Sequence, residues 1–315
     1  LCTGCAIGCT MFTTSCNVIS ANSLSDNTHC CKGSIMAEQQ FLDARIEAEK
    51  LRTKYADNPQ QKKFSALLIG EKGCGKTSLL RTARLPVHID SFDPGGTIVL
   101  EDMIKKGDVI ADTLYEDENP MDPFAFSEWQ RNVETRVRSK YFESIGTYCL
   151  DSSTLWSDSI MYWIQKRAQT GNLQLLGNAP RRNHDYVPQK VQIQVWLKRL
   201  LALPCDVIVT GHLYGVYEPV RTIEGDFEDK LTKYRFLSTG KATVVIPLEF
   251  SEMWVMVPTP APGGVKREII TGYDGMYAGS TRLGNRGKFD LREKPDIKAL
   301  LKKAGWPTND KAKLY

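Results

Sequence analysis

No uncharged apolar run in this 315-residue chain approaches the roughly 20 residues that cross a bilayer as a helix, so no helical membrane span is expected. Histidine is scarce, with four in the whole sequence. Six of the nine cysteines fall in the first 31 residues (Cys2, Cys5, Cys9, Cys16, Cys30 and Cys31), yet they form a single C-x-x-C, with His29 the only histidine near them. A structural zinc site needs a second such pair, so zinc is not expected. No basic segment precedes the weakly apolar, Thr- and Ser-rich start, which makes a poor secretory signal. Internal repeats and low-complexity tracts are also missing. What remains is an ordinary globular composition, long enough for one large α/β domain with appendages or two small domains.

Charge is unevenly placed. Net charge is +4, and residues 281–315 carry ten Lys/Arg against four Asp/Glu, a basic end that suits either solvent or a polyanion. Cys74, Cys149 and Cys205 are the only cysteines beyond residue 31, which suits a reducing cytoplasm. Lys32-Gly33 can be encoded by a purine-rich AAAGGA-type sequence two codons ahead of Met36. Residues 1–35 are therefore expected to be a read-through leader, with the native start at Met36; N-terminal sequencing of the natively expressed protein checks this.

From Met36 to about Asp57, Phe41, Ala44, Ala48, Leu51 and Tyr55 recur at helical steps, and residues 36–61 read as a helix and linker. Between residues 62 and 280, strands and helices alternate. Strands are expected at Phe64–Ile69, Pro86–Asp90, Thr97–Leu100, Asp108–Leu114, Gly146–Leu150, Cys205–Thr210, Ala242–Pro247 and Met253–Val257. Helices are expected at Pro123–Ile145, Thr154–Arg167 and Val191–Leu203, with Trp156, Ile160, Trp163 and Ile164 facing a core. Asn172–Gln189 reads as a loop. The alternation predicts a mostly parallel sheet flanked by helices, followed by antiparallel β-additions and a short terminal helix between Pro295 and Gly305.

The strongest motif is Gly70-Glu-Lys-Gly-Cys-Gly-Lys-Thr77, which fits the G-x-x-x-x-G-K-S/T phosphate loop at every fixed position, between an apolar strand and a helix start. Glycines there let backbone N–H groups turn inward around a triphosphate, and the helix end adds its positive pole. Gly70, Glu71, Lys72, Gly73, Cys74, Gly75, Lys76, Thr77 and Ser78 form the candidate cradle. In it Lys76 reaches the β- and γ-phosphates and the Thr77 hydroxyl ligates Mg²⁺. Tyr148-Cys149-Leu150-Asp151 is an apolar strand ending in an acid, so Asp151 is the candidate second metal ligand (Walker B). No Glu follows it; Ser152 and Ser153 do. The acid that activates water must come from elsewhere, and Asp93, past the second strand, is the first candidate, with Asp90 behind it. His212, after Cys205–Thr210, is placed to sense a γ-phosphate, and Lys241 to reach an ATP on a neighbouring subunit.

With these pieces in order the chain resembles the RecA-like P-loop ATPases, most closely the phage-encoded branch of single-strand-annealing or recombination ATPases. Gly70–Ser78, Val87–Gly96, Thr147–Thr154 and Val207–His212 carry the resemblance, helped by Ser238–Lys241, Pro247–Phe250 and the Arg282 to Gly305 ending. It implies a RecA-type core, ATP and Mg²⁺ bound between subunits of a homo-oligomeric ring or filament, and DNA-stimulated hydrolysis coupled to single-stranded DNA. A single-strand-binding protein is a further implied partner, and the host cytoplasm the implied location. It also implies that the loops after the Walker B region and the His-bearing strand face DNA, which points to Arg181, Arg182 and the connection 213–235. The family's water-orienting Glu aligns near Phe92-Asp93, which assigns that role to Asp93 here and leaves the turnover rate open. Two other readings stand beside this one. Gly-Lys-Thr-Ser-Leu-Leu and Asp93-Pro-Gly-Gly96 also suit a small GTPase, but no N-K-x-D or T-K-x-D for guanine is present. An ATP-gated DNA-binding scaffold with negligible turnover is the other.

Overall fold

The computed structural model describes residues 27–56, 63–169, 174–221, 226–238, 242–285 and 287–314. The chain divides into two compact units, Leu1–Asn58 and Pro59–Tyr315. In the first, α1 (Asn27–Ala56) begins ahead of Met36 and exposes Phe41, Leu42, Ile46 and Leu51. Residues 1–26, most of the stretch read as a leader, lie outside the described residues, as does Lys241.

The second unit is built on one mixed sheet. Its central strands are β1 (Ser65–Gly70), β2 (Val87–Ser91), β3 (Val109–Asp112), β4 (Thr147–Asp151) and β5 (Asp206–Arg221), all parallel in the order β3-β2-β4-β5-β1. Next to β1 the sheet continues through β7 (Glu252–Ala261), also parallel, and then through the antiparallel β8 (Gly264–Ile270) and β10 (Arg292–Glu293). Two strands lie off this path: β6 (Phe227–Phe236) pairs β5, and β9 (Ser280–Thr281) pairs β7. This is the expected α/β architecture, mostly parallel, flanked by helices and extended by antiparallel strands. Because β5 stands between β1 and β4, the phosphate-loop strand and the Walker B strand are not neighbours, and their tips open at the same carboxyl edge of the sheet.

Strand alternation sends one set of side chains to each face. Leu67, Ile69, Tyr148, Leu150, Val207 and Val209 pack under α4 (Ala125–Arg138), α5 (Ser153–Ala168) and α6 (Val187–Leu201). Here Trp129 meets Trp156 at 5.4 Å and Trp196 at 4.9 Å between ring centroids. On α5 Trp156 is therefore core, as its helical spacing predicts, while half-buried Trp163 packs against that core. Ala66, Leu68, Ile89, Cys149 and Ile208 face the other way. They pack under α2 (Lys76–Leu79), α3 (Glu101–Lys105) and α8 (Ile297–Ala304). The last helix starts at Asp296, whose carboxylate accepts from the Ala299 N–H, and ends at a left-handed Gly305.

Five expected elements differ, the first being the loop read over Asn172–Gln189, whose end forms a π-helical turn (Arg182–Tyr186) and the start of α6 at Val187. Thr97–Leu100 is part of a 3₁₀ turn (Gly96–Leu100), not a strand. Ala242–Pro247 belongs to a helix, α7 (Ala242–Leu248), because Ala242 and Ile246, four apart, bury the same face. The Pro123–Ile145 helix stops at Arg138; Lys140 turns through φ 59° into a separate 3₁₀ turn, Tyr141–Ser144. The connection 213–235 is no loop. β5 runs straight through His212 to Arg221, and β6 returns beside it as a two-stranded ribbon. Gly211 permits this, since a Cβ there would lie 2.5 Å from the Phe236 ring and 3.0 Å from the Ser153 hydroxyl.

The basic tail is largely committed to the fold. Lys303 pairs with Asp290 and Glu293, Lys298 with Asp310 and Lys313 with Asp108, while Lys311 donates to the carbonyls of Glu143 and Ile145.

Candidate functional site

β1 delivers the phosphate loop at the sheet's carboxyl edge. Gly73 and Gly75 adopt φ of 77° and 102°, which L side chains resist, so the two glycines set the curl of the loop. Lys76 is buried, and its ammonium donates to the Gly70 and Glu71 carbonyls at 3.0 Å each. The loop thus holds a cation at its centre. Cys74 is buried under it, and burial pushes its thiol up, against the pull of Lys76.

Two strands away, the tip of β4 meets this loop. The Thr77 hydroxyl donates to Asp151 Oδ2 at 2.7 Å, and the Thr210 hydroxyl to Oδ1 at 2.5 Å. Burial raises the Asp151 carboxyl above the ordinary carboxylate range. The two hydroxyls and Lys76 oppose the shift, and Asp93 adds to it. Asp93 follows β2, and its backbone N–H donates to the Asp151 carbonyl at 3.2 Å. His212 is level with Gly70 across the β1–β5 pairing, and its Nδ1 lies 3.3 Å from the Thr154 hydroxyl. Burial holds its imidazole below the ordinary histidine range, Lys76 strengthens that, and Asp93 and Asp151 counter it. The structure therefore gathers Lys76, Thr77, Asp93, Asp151 and His212 into one cluster from the tips of β2 and β4, the middle of β5 and one helix start.

Asp90 does not join them. It is fully buried on β2, with Oδ1 accepting from His88 Nε2 at 3.0 Å and Arg136 Nη1 at 2.8 Å, and Oδ2 from Trp129 Nε1 at 2.9 Å and the Tyr148 hydroxyl at 2.8 Å. A carboxylate with four protein donors and no solvent access has no free lone pair for a water, which removes it as the reserve base.

The donor set at Asp151 suits Mg²⁺: a carboxylate and a hydroxyl, both hard oxygen ligands. Among the described residues no group of three or more His, Cys, Asp or Glu could hold a metal, so a Mg²⁺ there would draw its other ligands from phosphate and water.

Arg181 and Arg182 differ from each other. Arg181 forks onto buried Asp185, with Nη2–Oδ1 at 2.8 Å and Nε–Oδ2 at 3.1 Å, and so pins the π-helical turn Arg182–Tyr186 at the start of α6. Arg182 is exposed. The β5–β6 ribbon carries Tyr217 and Phe227, 60% and 73% exposed, on one face, and Lys230, Lys233 and Arg235 on the other; Asp226, Glu228 and Asp229 crowd its outer part. At its base Tyr234 stacks on Tyr277 with centroids 4.9 Å apart. Burial, with the Glu71 carboxylate of the phosphate loop beside it, pushes the Tyr234 hydroxyl up.

Thr210, Thr154, Tyr234 and Arg267 also belong to this neighbourhood; the first three lie within segments named above, but none of the four stood out by its own chemistry. Thr210 was the most legible, being a polar residue two positions before His212 at the end of an apolar strand. Arg267 comes from β8, and nothing local in the sequence links it to the loop.

No family model and no curated protein matches the chain. Among solved structures it is similar to a KaiC-like protein from the hyperthermophilic archaeon Pyrococcus horikoshii OT3. The identity is 12% over 66% of this chain and 78% of that one, with a TM-score of 0.35. It is also similar to the flagellar accessory protein FlaH from Methanocaldococcus jannaschii, at 14% over 65% of this chain and 76% of that one, with a TM-score of 0.34. At these values neither bears on what this chain binds.

Proposed function

We propose that the chain is a Mg²⁺-dependent ATPase that works as a homo-oligomer on single-stranded DNA, in recombination, annealing or replication. The observation that carries the nucleotide reading is the bond from Thr77 to Asp151, which joins the phosphate loop to the Walker B acid across an intervening strand. Lys76 lies at the centre of the loop to hold the β- and γ-phosphates. Thr77 and Asp151 would hold a Mg²⁺, which would supply charge neutralisation to the triphosphate. Asp93 orients the attacking water and takes its proton, while the terminal P–O bond breaks and ADP leaves. His212 reads the γ-phosphate. Because it is the residue at which β5 leaves the sheet, it passes that state directly into the ribbon.

The DNA side of the reading rests on the family resemblance and on the ribbon. Its exposed Tyr217 and Phe227 suit base stacking, which is worth about 1–3 kcal/mol per base. Its acidic outer part favours stacking over phosphate contact there, and exposed Arg182 offers the phosphate contact. Phosphate release from ATP and GTP, each with and without single-stranded DNA, tests the whole reading: ATP turnover that rises with DNA is expected. A GTP preference would restore the GTPase alternative, and DNA binding without turnover the scaffold. Arg182→Ala is expected to lower the salt slope of DNA binding by about one, whereas Phe227→Ala weakens binding with the slope kept. If Phe227→Ala leaves affinity unchanged, the ribbon does not stack on DNA.

A further inference from the structure

The hairpin of β7 and β8 rises beside the phosphate loop on the side away from Asp151. Met256 on β7 is level with Gly70, the last residue of β1, and pairs Ile269 on β8. Arg267, opposite Pro258, therefore stands two residues beyond that edge, about 7 Å at strand spacing. From there its side chain crosses to the loop. Arg267 Nε donates to the Cys74 carbonyl at 3.1 Å, and a Cβ on Gly75 would lie 2.9 Å from Arg267 Cδ. Gly75 thus serves a second purpose beyond its positive φ, giving the arginine room to lie on the backbone. Arg267 is exposed, and it forms no ion pair among the described residues, unlike its neighbours Lys266 and Arg292, which share Glu268.

The same side chain lines a groove of about 400 Å³ between β8 and α8, whose walls include Glu268, Asp290, Arg292, Ala299 and Lys303. That volume falls in the range that accepts a nucleoside. The direction of a bound nucleotide follows from the strand order. With its γ-phosphate at Asp151 and His212, on the β4 and β5 side of β1, its nucleoside must leave toward β7 and β8. We propose that the groove between β8 and α8 seats the nucleoside, and that Arg267 clamps it there by laying its planar guanidinium on the base while its Nε holds the loop. This assignment rests on the ATP reading above.

Calorimetric binding of ATP and of inorganic tripolyphosphate to the full chain, without turnover, separates the two ideas. Wild type is expected to bind both, ATP more tightly. Arg267→Ala is expected to weaken ATP by about tenfold or more and tripolyphosphate, which loses only the bond that steadies the loop, by clearly less; Arg267→Lys, lacking the planar fork, does not restore ATP. Ala299→Trp, an exposed helix position that fills the groove, is expected to act the same way. If wild type binds neither ligand, the ATP reading fails. If it binds both equally, or Arg267→Ala weakens both equally, or neither variant changes ATP binding, the nucleoside does not lie in this groove and Arg267 only props the loop.

Discussion

Asp151→Asn is expected to lower ATP turnover by on the order of a thousandfold while leaving the protein folded, because removing one preorganised charge partner from a phosphoryl-transfer site has effects of about that size. The amide keeps the shape of the carboxylate and can still engage the hydroxyls of Thr77 and Thr210, so what is lost is the negative charge. Stability should not fall with it. Burial raises the Asp151 pKa in the folded state, so its ionisation disfavours folding and the penalty is present once pH exceeds the folded pKa. Neutralising the group removes that penalty, and the melting temperature at pH 7 is expected to equal or exceed that of the wild type. Single-turnover phosphate release and a thermal melt check both halves. A rate within tenfold of wild type, or a large drop in melting temperature, would show that Asp151 serves the fold rather than the reaction.

Asp90→Ala is expected to do the reverse. It removes the shared acceptor of His88, Arg136, Trp129 and Tyr148 between β2 and α4, leaving Arg136 only Asp112 and Trp129 only the Tyr148 hydroxyl, and breaking a buried charge network from one side costs about 3–5 kcal/mol. Urea unfolding measures this directly, and whatever fraction stays folded should retain normal turnover per site. Acid acts on the same group. Burial alone would raise the Asp90 carboxyl, but His88, Arg136 and Tyr148 together hold it below the ordinary carboxylate range. Its contribution is therefore fully present above the unfolded pKa, about 3.9, and is withdrawn as pH falls through the lower folded value. Asp90→Asn should accordingly show a flatter acid-unfolding curve than wild type. An unchanged urea midpoint in Asp90→Ala would mean the network is dispensable.

Local pattern carried much of the fold and the centre of the site. Phe64–Ile69 before a glycine-rich loop, and Thr147–Leu150 before Asp151, are contiguous signals, and each appears as a strand delivering its residue to the sheet's edge. Signals that depend on partners were harder to read. The Val-Val-Ile of α7 is β-rich in composition and becomes helical only because Ala242 and Ile246 find a core beside α6. Asp90 and Asp93 lie three residues apart and were equal by type; only the packing of α4 over β2 decides which one is sealed in. Arg267 reaches Cys74 across almost two hundred residues of chain, a contact that no window on the sequence contains.

The continuity of β5 has a mechanical consequence. The strand is paired to β4 up to Val209 and to β1 up to His212, then runs nine further residues, Leu213–Arg221, paired to β6. Nine extended residues span about 30 Å, so a tilt of about 5° at His212 moves the far end by about 2.6 Å, close to the rise of one residue. No hinge loop interrupts Leu213–Arg221, and its one irregularity is a register shift against β6 between Val216 and Tyr217. A small tilt at His212 would thereby be carried along the ribbon and reach its far end as a displacement close to one residue's rise.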